Sequence, residues 1–180
     1  MTTYNLAGGC FWCLDAVFRQ LRGVESSTCG YIGGSKLTAH YYTVASGITK
    51  HAEAVQVHFD ESVIPKEIIL DIFFLIHDPT SLNQQGADKG TQYRSAMFHE
   101  NDSQRSEFEA AIERAQKNWT KPIVTEVSTL DEFYKAEPEH QDYFANNPTN
   151  GYCSVVIDPK ITKAKQEYAK WFASDELPRD

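Results

Sequence analysis

Basic charge is scarce in this 180-residue chain: 17 lysines and arginines stand against 25 acidic side chains, a formal charge of −8. Without a Lys/Arg cluster there is no electrostatic footprint for a phosphate backbone, which argues against nucleic-acid binding and against anionic membrane surfaces. Long apolar runs are missing too. The most apolar stretch, Ile68 to Ile76, is short and interrupted by Asp71, too little to span a bilayer. The opening Met1-Thr2-Thr3-Tyr4-Asn5 has neither the basic region nor the apolar region of a secretory signal. A soluble, cytoplasmic, monomeric protein is the expectation. No repeat, low-complexity tract or Pro/Gly/Ser linker divides the sequence, so a single catalytic domain is expected over 1–180, its last part (155–180) a helical tail.

Cysteine is also sparse. Four residues, Cys10, Cys13, Cys29 and Cys153, are too few for a secreted disulfide scaffold, and only the first two share a short spacing, C-x-x-C. In a reducing compartment this points to thiol chemistry. What is present is otherwise ordinary: 41% hydrophobic and 23% charged residues place the chain among globular proteins large enough to bury a real core.

Tyr4 to Ala7 reads as a short strand running into Gly8-Gly9, after which Phe11, Leu14, Phe18 and Leu21 fall on one helical face closed by Gly23. Val24 to Ile32 is a second strand. Ala54 to Phe59 alternates as a third, with Val55, Val57 and Phe59 on one side. Pro65 fits the first position of a buried helix over Ile68 to Ile76. The polar stretch Thr80 to Tyr93 is long for a connector and is where function is expected to sit. Ser95 to Phe98 is a fourth strand. Asn101, Asp102 or Ser103 can cap a helix carrying Phe108, Ala111, Ile112, Ala115 and Trp119, and Ile123 to Val127 is a fifth strand. Short helices around Glu139 to Asn146 and Thr162 to Phe172 follow. The order β-α-β-β-α-β predicts a ferredoxin-like, two-layer α/β (α+β) domain with a mixed or antiparallel sheet and extra C-terminal helices.

Cys10 follows a strand and opens a helix. A thiolate there meets unpaired N–H groups and the positive end of the helix dipole, so its pKa is expected to be depressed. Several chemistries fit a C-x-x-C at such a turn. A thioredoxin-like disulfide oxidoreductase would use the Cys10/Cys13 pair directly, although the intervening Phe11-Trp12 is bulky and the strand order is unconvincing for that fold. A zinc deaminase would pair His51-Ala52-Glu53 with the cysteines, but the order is reversed, no proline precedes Cys10, and Glu53 opens a strand. A third chemistry uses the aromatics themselves as an apolar wall for a methyl group or thioether. Trp12, off the helix's apolar stripe, is the better candidate for that wall. A redox-inert binding module is the non-enzymatic alternative.

Six blocks in order, from Tyr4 to Cys153, are similar to the peptide methionine sulfoxide reductase A family. They are G-C-F-W-C (9–13), G-Y-I-G-G (30–34), G-I-T-K-H-A-E-A-V-Q-V (47–57), H-D-P-T-S-L-N-Q-Q-G-A-D-K-G-T-Q-Y-R-S (77–95), A-E-P-E-H-Q-D-Y (136–143) and G-Y-C (151–153). The resemblance implies reduction of the S epimer of methionine sulfoxide, free or protein-bound, with thioredoxin as electron donor and no metal or organic cofactor. It puts the nucleophile on Cys10, the methyl-binding wall on Phe11 and Trp12, the acid on Glu53, hydrogen bonds to the sulfoxide oxygen on Tyr41 and Tyr93, and substrate orientation on Asp88. Thiolate attack on a sulfoxide builds charge on oxygen, so donors and a proton source are what such a site needs. A protonated carboxyl at neutral pH requires burial, and Glu53 at the head of an apolar strand is well placed for it.

The resulting Cys10 sulfenic acid would condense with a second thiol. Cys153 matches a resolving cysteine of the family, on a segment after Asn146-Asn147-Pro148 expected to be flexible. Cys13 stands where many members carry glycine, one turn from Cys10, and a further downstream resolving cysteine is absent from 154–180. A Cys10–Cys153 disulfide is expected ahead of Cys10–Cys13 because the helix turn would have to distort for the latter. His51 is expected to support a loop, His77 to pack or complement a helix end, and Cys29 to be core. His140-Gln141 has no role derivable from sequence.

Overall fold

The computed structural model describes residues 1–173, and its sheet is built around the strand whose sequence alternates most cleanly. In chain order the elements are β1 (Thr2–Ala7), α1 (Phe11–Phe18), β2 (Val24–Ile32), α2 (Tyr41–Ala45), β3 (Ala52–Phe59) and α3 (Lys66–Leu75). A two-residue hairpin, β4 (Gln84–Gln85) and β5 (Asp88–Lys89), follows. Then come β6 (Ala96–His99), α4 (Asp102–Gln116), β7 (Glu126–Thr129), β8 (Phe133–Lys135), α5 (Tyr143–Asn146) and α6 (Asp158–Tyr168). The main sheet runs β7-β6-β1-β3-β2-β8. Its four central strands are mutually antiparallel, in the order of a split βαβ core, with β8 added antiparallel at one edge and β7 parallel at the other. The ferredoxin-like, mixed-sheet expectation therefore describes the molecule.

The pattern of side chains explains the layers. Val55, Val57 and Phe59 of β3 turn to the main core with Tyr4 and Leu6 of β1, against which α1 and α3 lay Leu14, Phe18, Ile69, Ile72 and Phe73. The opposite face carries small residues, Ala7, Ala52, Ala54 and Ala96, which with Ile32 and Phe98 form a second, thinner core. Residues of β3 are consequently buried on both faces along its first half.

Several boundaries moved. Pro65 is the N-cap of α3 and not its first residue, because its ψ of 142° is extended. Asn101 supplies the cap of α4, its side chain accepting from the Gln104 N–H at 2.9 Å. The fifth strand starts at Glu126 and not Ile123: the preceding segment is tied by the Gln116 side chain, which accepts from Ile123 N–H. The helix expected over 139–146 is broken at Asp142, whose φ is 50°, leaving a 3₁₀ turn Pro138–His140 and α5. The helix expected over 162–172 begins earlier, at Asp158, with Pro159 in its first turn. Beyond 173, the helical tail expected over 155–180 lies outside the described residues. Among those described, no helix is long and apolar enough to cross a membrane.

Candidate active site

Cys10 is the N-cap of α1, extended at ψ 126°, and is brought there by Gly9, whose φ of 89° turns the chain out of β1. Gly9 also has a steric reason. A Cβ at that position would come within 2.8 Å of Gln85 Cγ. Gln85, from the hairpin, is held by Asp78: the Asp78 N–H donates to its side-chain oxygen at 2.9 Å and its amide donates back to the Asp78 carbonyl. The long loop 80–93 is thereby pinned against the strand-to-helix turn.

Glu53 lies opposite Tyr31 in the β2–β3 register, so both side chains point to the same face as α1. Its carboxyl is 1% exposed and accepts the first free N–H of the helix, from Phe11, at 3.1 Å. Burial raises its pKa to about 8, against the opposing pull of that hydrogen bond, so the group is mostly protonated at neutral pH.

This arrangement overturns one expectation. The Cys10 thiol is pushed up, not down: burial is the main cause, followed by its hydrogen bond to Cys13 and the nearby Glu53, against which the Trp12 N–H pulls weakly. The helix N-terminus is real, but Glu53 occupies its leading donor and excludes water, so the dipole is outweighed by desolvation. The stabilised thiolate is on Cys13. The hydrogen bond from Cys10 lowers its pKa to about 7, with help from Lys160 and the Tyr152 hydroxyl, whose oxygen is 3.7 Å from Cys13 Sγ.

An aromatic wall stands beside the thiols. Phe11 is fully buried, whereas Trp12, as its position off the stripe predicts, is only half-buried. Tyr143 stacks on the indole at 3.7 Å and 4°, and Tyr41 lies 6.2 Å away. Tyr41 and Tyr93 are held protonated by burial, and both lie within electrostatic reach of Glu53 and Cys10. Asp88 accepts from the Tyr152 hydroxyl at 2.8 Å. The structure thus gathers Cys10, Phe11, Trp12, Cys13, Tyr41, Glu53, Asp88 and Tyr93 at one place. Cys153 stands apart in kind: it is 1% exposed, in a π-helical turn Cys153–Ile157 packed on α1, and not on a flexible segment. Burial raises its pKa, with Asp158 first and Cys13 second as its charged neighbours.

Sequence reasoning missed His140, Tyr143, Tyr152 and Glu137. The Trp12 indole N–H donates to His140 Nδ1 at 3.2 Å, which leaves the ring's proton on Nε2, and His140 stacks on Tyr41 at 4.2 Å. Burial lowers the His140 pKa and keeps that neutral form. Glu137 accepts from the Tyr31 hydroxyl at 2.9 Å and the Tyr41 N–H at 3.1 Å. Gln141 exchanges two hydrogen bonds with the backbone of Cys29. The spacing Glu137, His140, Tyr143 within A-E-P-E-H-Q-D-Y was the available signal. Their partners lie more than ninety residues away, so nothing local reveals them. Glu137, Glu139 and His140 also bring possible metal-ligand atoms within 4.8 Å of one another, but the Glu137 oxygens and His140 Nδ1 already have partners. His51 and His77 serve the fold. His51 accepts from Gly34 N–H and meets the Ser35 carbonyl through Nε2, while buried His77 joins the Phe73 carbonyl to Ser95. Cys29 is core, as expected.

With that geometry in view, relatives can be compared. The family model described as peptide methionine sulfoxide reductase matches residues 2–172. The chain belongs to this family. It is an enzyme, an oxidoreductase that reduces methionine sulfoxide. It is 56% identical over 174 residues to peptide methionine sulfoxide reductase MsrA of Paenarthrobacter aurescens, covering 97% of this chain and 100% of that one. Among solved structures, reduced Mxr1 from Saccharomyces cerevisiae superposes with a TM-score of 0.80 at 36% identity, over 84% of this chain and 88% of that one. Mxr1 in complex with Trx2 superposes with a TM-score of 0.56 at 27% identity, over 79% and 84% of the two chains.

Proposed function

We propose that this reductase acts on the S epimer of methionine sulfoxide, free or in proteins, by oxygen transfer to Cys10. The observation that carries the reading is the protonated, buried Glu53 bonded to Phe11 N–H immediately beside the Cys10 thiol. With the substrate methyl against Phe11 and Trp12 and the chain oriented by Asp88, the sulfoxide oxygen would meet Glu53, Tyr41 and Tyr93. The Cys13 thiolate takes the proton of Cys10. Cys10 sulfur then bonds to the sulfoxide, Glu53 protonates the oxygen as it leaves the methionine sulfur, and Cys10 is oxidised to sulfenic acid while methionine is released. One proton lost by Glu53 and one gained by Cys13 balance the step.

Cys13 is the better supported first resolver. The two thiols lie close enough to shift each other's pKa, and Cys10 stands at the N-cap, at the edge of the helix. Condensation yields a Cys10–Cys13 disulfide and water. Cys153, within electrostatic reach of Cys13, can then exchange with it. A dithiol protein of the thioredoxin kind is the proposed final reductant, the partner seen with Mxr1. No step of this cycle calls for a metal or organic cofactor. Residues 1–180 act as one catalytic unit in this reading.

The test is a single turnover without reductant. One equivalent of methionine from the S epimer, none from the R epimer, and none from Cys10→Ser supports the cycle; methionine from Cys10→Ser overturns it. A thioredoxin-like oxidoreductase would instead exchange disulfides and ignore the sulfoxide.

A further inference from the structure

Tyr143 and Tyr152 stand at the two ends of a short excursion of the chain, through α5 and Asn147-Pro148-Thr149-Asn150 to the turn that carries Cys153. Both return to the same indole. Tyr143 lies flat on Trp12, with ring centroids 3.7 Å apart at 4°, and Tyr152 meets it edge-on at 5.9 Å and 80°. One side chain ties the two tyrosines together. Asn150 Nδ2 donates to the Tyr143 hydroxyl at 3.0 Å, and Asn150 Oδ1 accepts the Tyr152 N–H at 2.9 Å. The backbone of Asn150 is held as well, its N–H donating to the Asn147 carbonyl at 3.1 Å and its carbonyl accepting from Ser154 N–H at 3.3 Å. Asn150 precedes the last of the six sequence blocks and lies in none of them.

We propose that Asn150 is a positioning residue for sulfoxide reduction: by fixing Tyr143 and Tyr152 relative to each other, it sets the Trp12 indole that receives the substrate methyl. This rests on the placement of the methyl proposed above and adds the residue that maintains it. The stack itself shows why a tether is needed. Aromatic rings prefer offset or edge-on packing with centroids about 4.5–7 Å apart, because their quadrupoles repel face to face. Trp12 and Tyr143 overlap far more closely than that. Such a pair holds only if each ring is fixed from outside, and each is: the Trp12 N–H by His140, and the Tyr143 hydroxyl by Asn150, its only partner among the described residues. Tyr152 is fixed at both ends, its N–H on Asn150 and its hydroxyl on Asp88. Without the Asn150 side chain, Tyr143 is free to slide to an offset position and the indole to follow it. An apolar wall meets substrate and transition state alike, so the loss belongs in KM and not in the rate at saturation.

The experiment measures turnover of N-acetylmethionine S-sulfoxide with dithiothreitol, together with the near-UV circular dichroism of the stacked pair, in wild type, Asn150→Ala, Asn150→Asp and Tyr143→Phe. Asn150→Ala should raise KM about fivefold, the worth of one hydrogen bond, hold the first-turnover rate at saturating substrate within about twofold, and weaken the near-UV bands. Tyr143→Phe, which loses the hydroxyl that Asn150 holds, should raise KM in the same direction. Adding Asn150→Ala to it should then raise KM less than the same change does in wild type. The carboxylate of Asn150→Asp can accept from both the Tyr143 O–H and the Tyr152 N–H, so this variant should keep the wild-type KM and spectrum. A wild-type KM in Asn150→Ala or in Tyr143→Phe, or an Asn150→Asp protein as impaired as Asn150→Ala, overturns the assignment. Should Asn150→Ala fail to fold, Tyr143→Phe and Asn150→Asp decide it. If wild type releases no methionine from the S epimer, the proposed activity fails and the spectrum judges the positioning alone: bands lost in Asn150→Ala and kept in Asn150→Asp uphold it, and bands unchanged in both overturn it.

Discussion

A carboxylic acid in water has lost its proton long before neutral pH, yet Glu53 keeps most of its own because burial costs its charged form more than one backbone N–H returns. In the proposed cycle the proton it holds is the one the leaving oxygen takes. Glu53→Gln retains an acceptor for Phe11 N–H but has no acidic proton, so methionine release should slow by about 100- to 10,000-fold with little change in KM. Rapid-quench single turnovers measure this. In wild type the same rate should fall as pH rises through about 8, where Glu53 ionises, and in Glu53→Gln that alkaline limb should vanish. The thiols make a second prediction. Cys13→Ser should still release one equivalent of methionine, more slowly because the proton acceptor of Cys10 is gone, and should stop at sulfenic acid, trapped by a dimedone-type reagent. Cys153→Ser should pass on to the Cys10–Cys13 disulfide. A sulfenic acid accumulating in Cys153→Ser and not in Cys13→Ser would assign resolution to Cys153.

Among the elements, the edge strand β8 joins fold to site. Gly30 of β2 faces Phe133 of β8 so closely that a Cβ there would overlap the Phe133 ring and the Tyr134 carbonyl. From β8 the chain runs directly into Glu137 and His140, which hold Tyr41 and Trp12. Gly30→Ala should therefore cost about 1–3 kcal/mol in stability and also raise KM, with altered Trp12 fluorescence as His140 withdraws. A stability loss with unchanged KM would show that β8 does not transmit to the site. Such couplings mark how far the sequence was readable. The six main strands and helices of the core carry period-2 or period-3.6 patterns, and Cys10 and Glu53, the proposed nucleophile and acid, sit at their ends, where residue type alone suggests chemistry. β8 escaped because Phe133–Lys135 is three residues long, too short for a period. The π-helical turn at Cys153 escaped because Asn147-Pro148 reads as a breaker. The direction of the Cys10 shift was misjudged because helix polarity is visible in sequence, whereas the burial that outweighs it is set by tertiary packing.

For the molecule as a whole, the same buried groups set stability against pH, and their signs can be worked out. Glu53 has a folded pKa near 8 against an ordinary 4.5, so between those values the native state holds a proton that the unfolded chain releases. Its contribution to stability is complete below 4.5 and is lost as pH rises to about 8. His77 is the opposite case. Burial lowers its pKa from 6.5 to about 4, so the unfolded chain binds the extra proton, and stability is lost as pH falls from 6.5 toward 4; His51 and His140 are shifted in the same direction. Below 6.5 the two effects oppose each other, from 6.5 to about 7 the Glu53 loss prevails, and above about 7 the Cys13 thiol, lowered from 9 to about 7, adds stability that offsets it. Stability should therefore peak near pH 6.5, decline by up to about 1.4 kcal/mol per pH unit as far as pH 7, and level off toward pH 8. Urea midpoints measured from pH 5 to 9 would trace this curve. Glu53→Gln should remove the decline above pH 6.5, let stability rise above about pH 7 as Cys13 ionises, and leave the protein more stable than wild type at pH 8, while barely able to reduce its substrate. A profile from pH 6.5 to 8 in Glu53→Gln that matches the wild type would place the titrating group elsewhere and remove the basis for Glu53 as the proton donor.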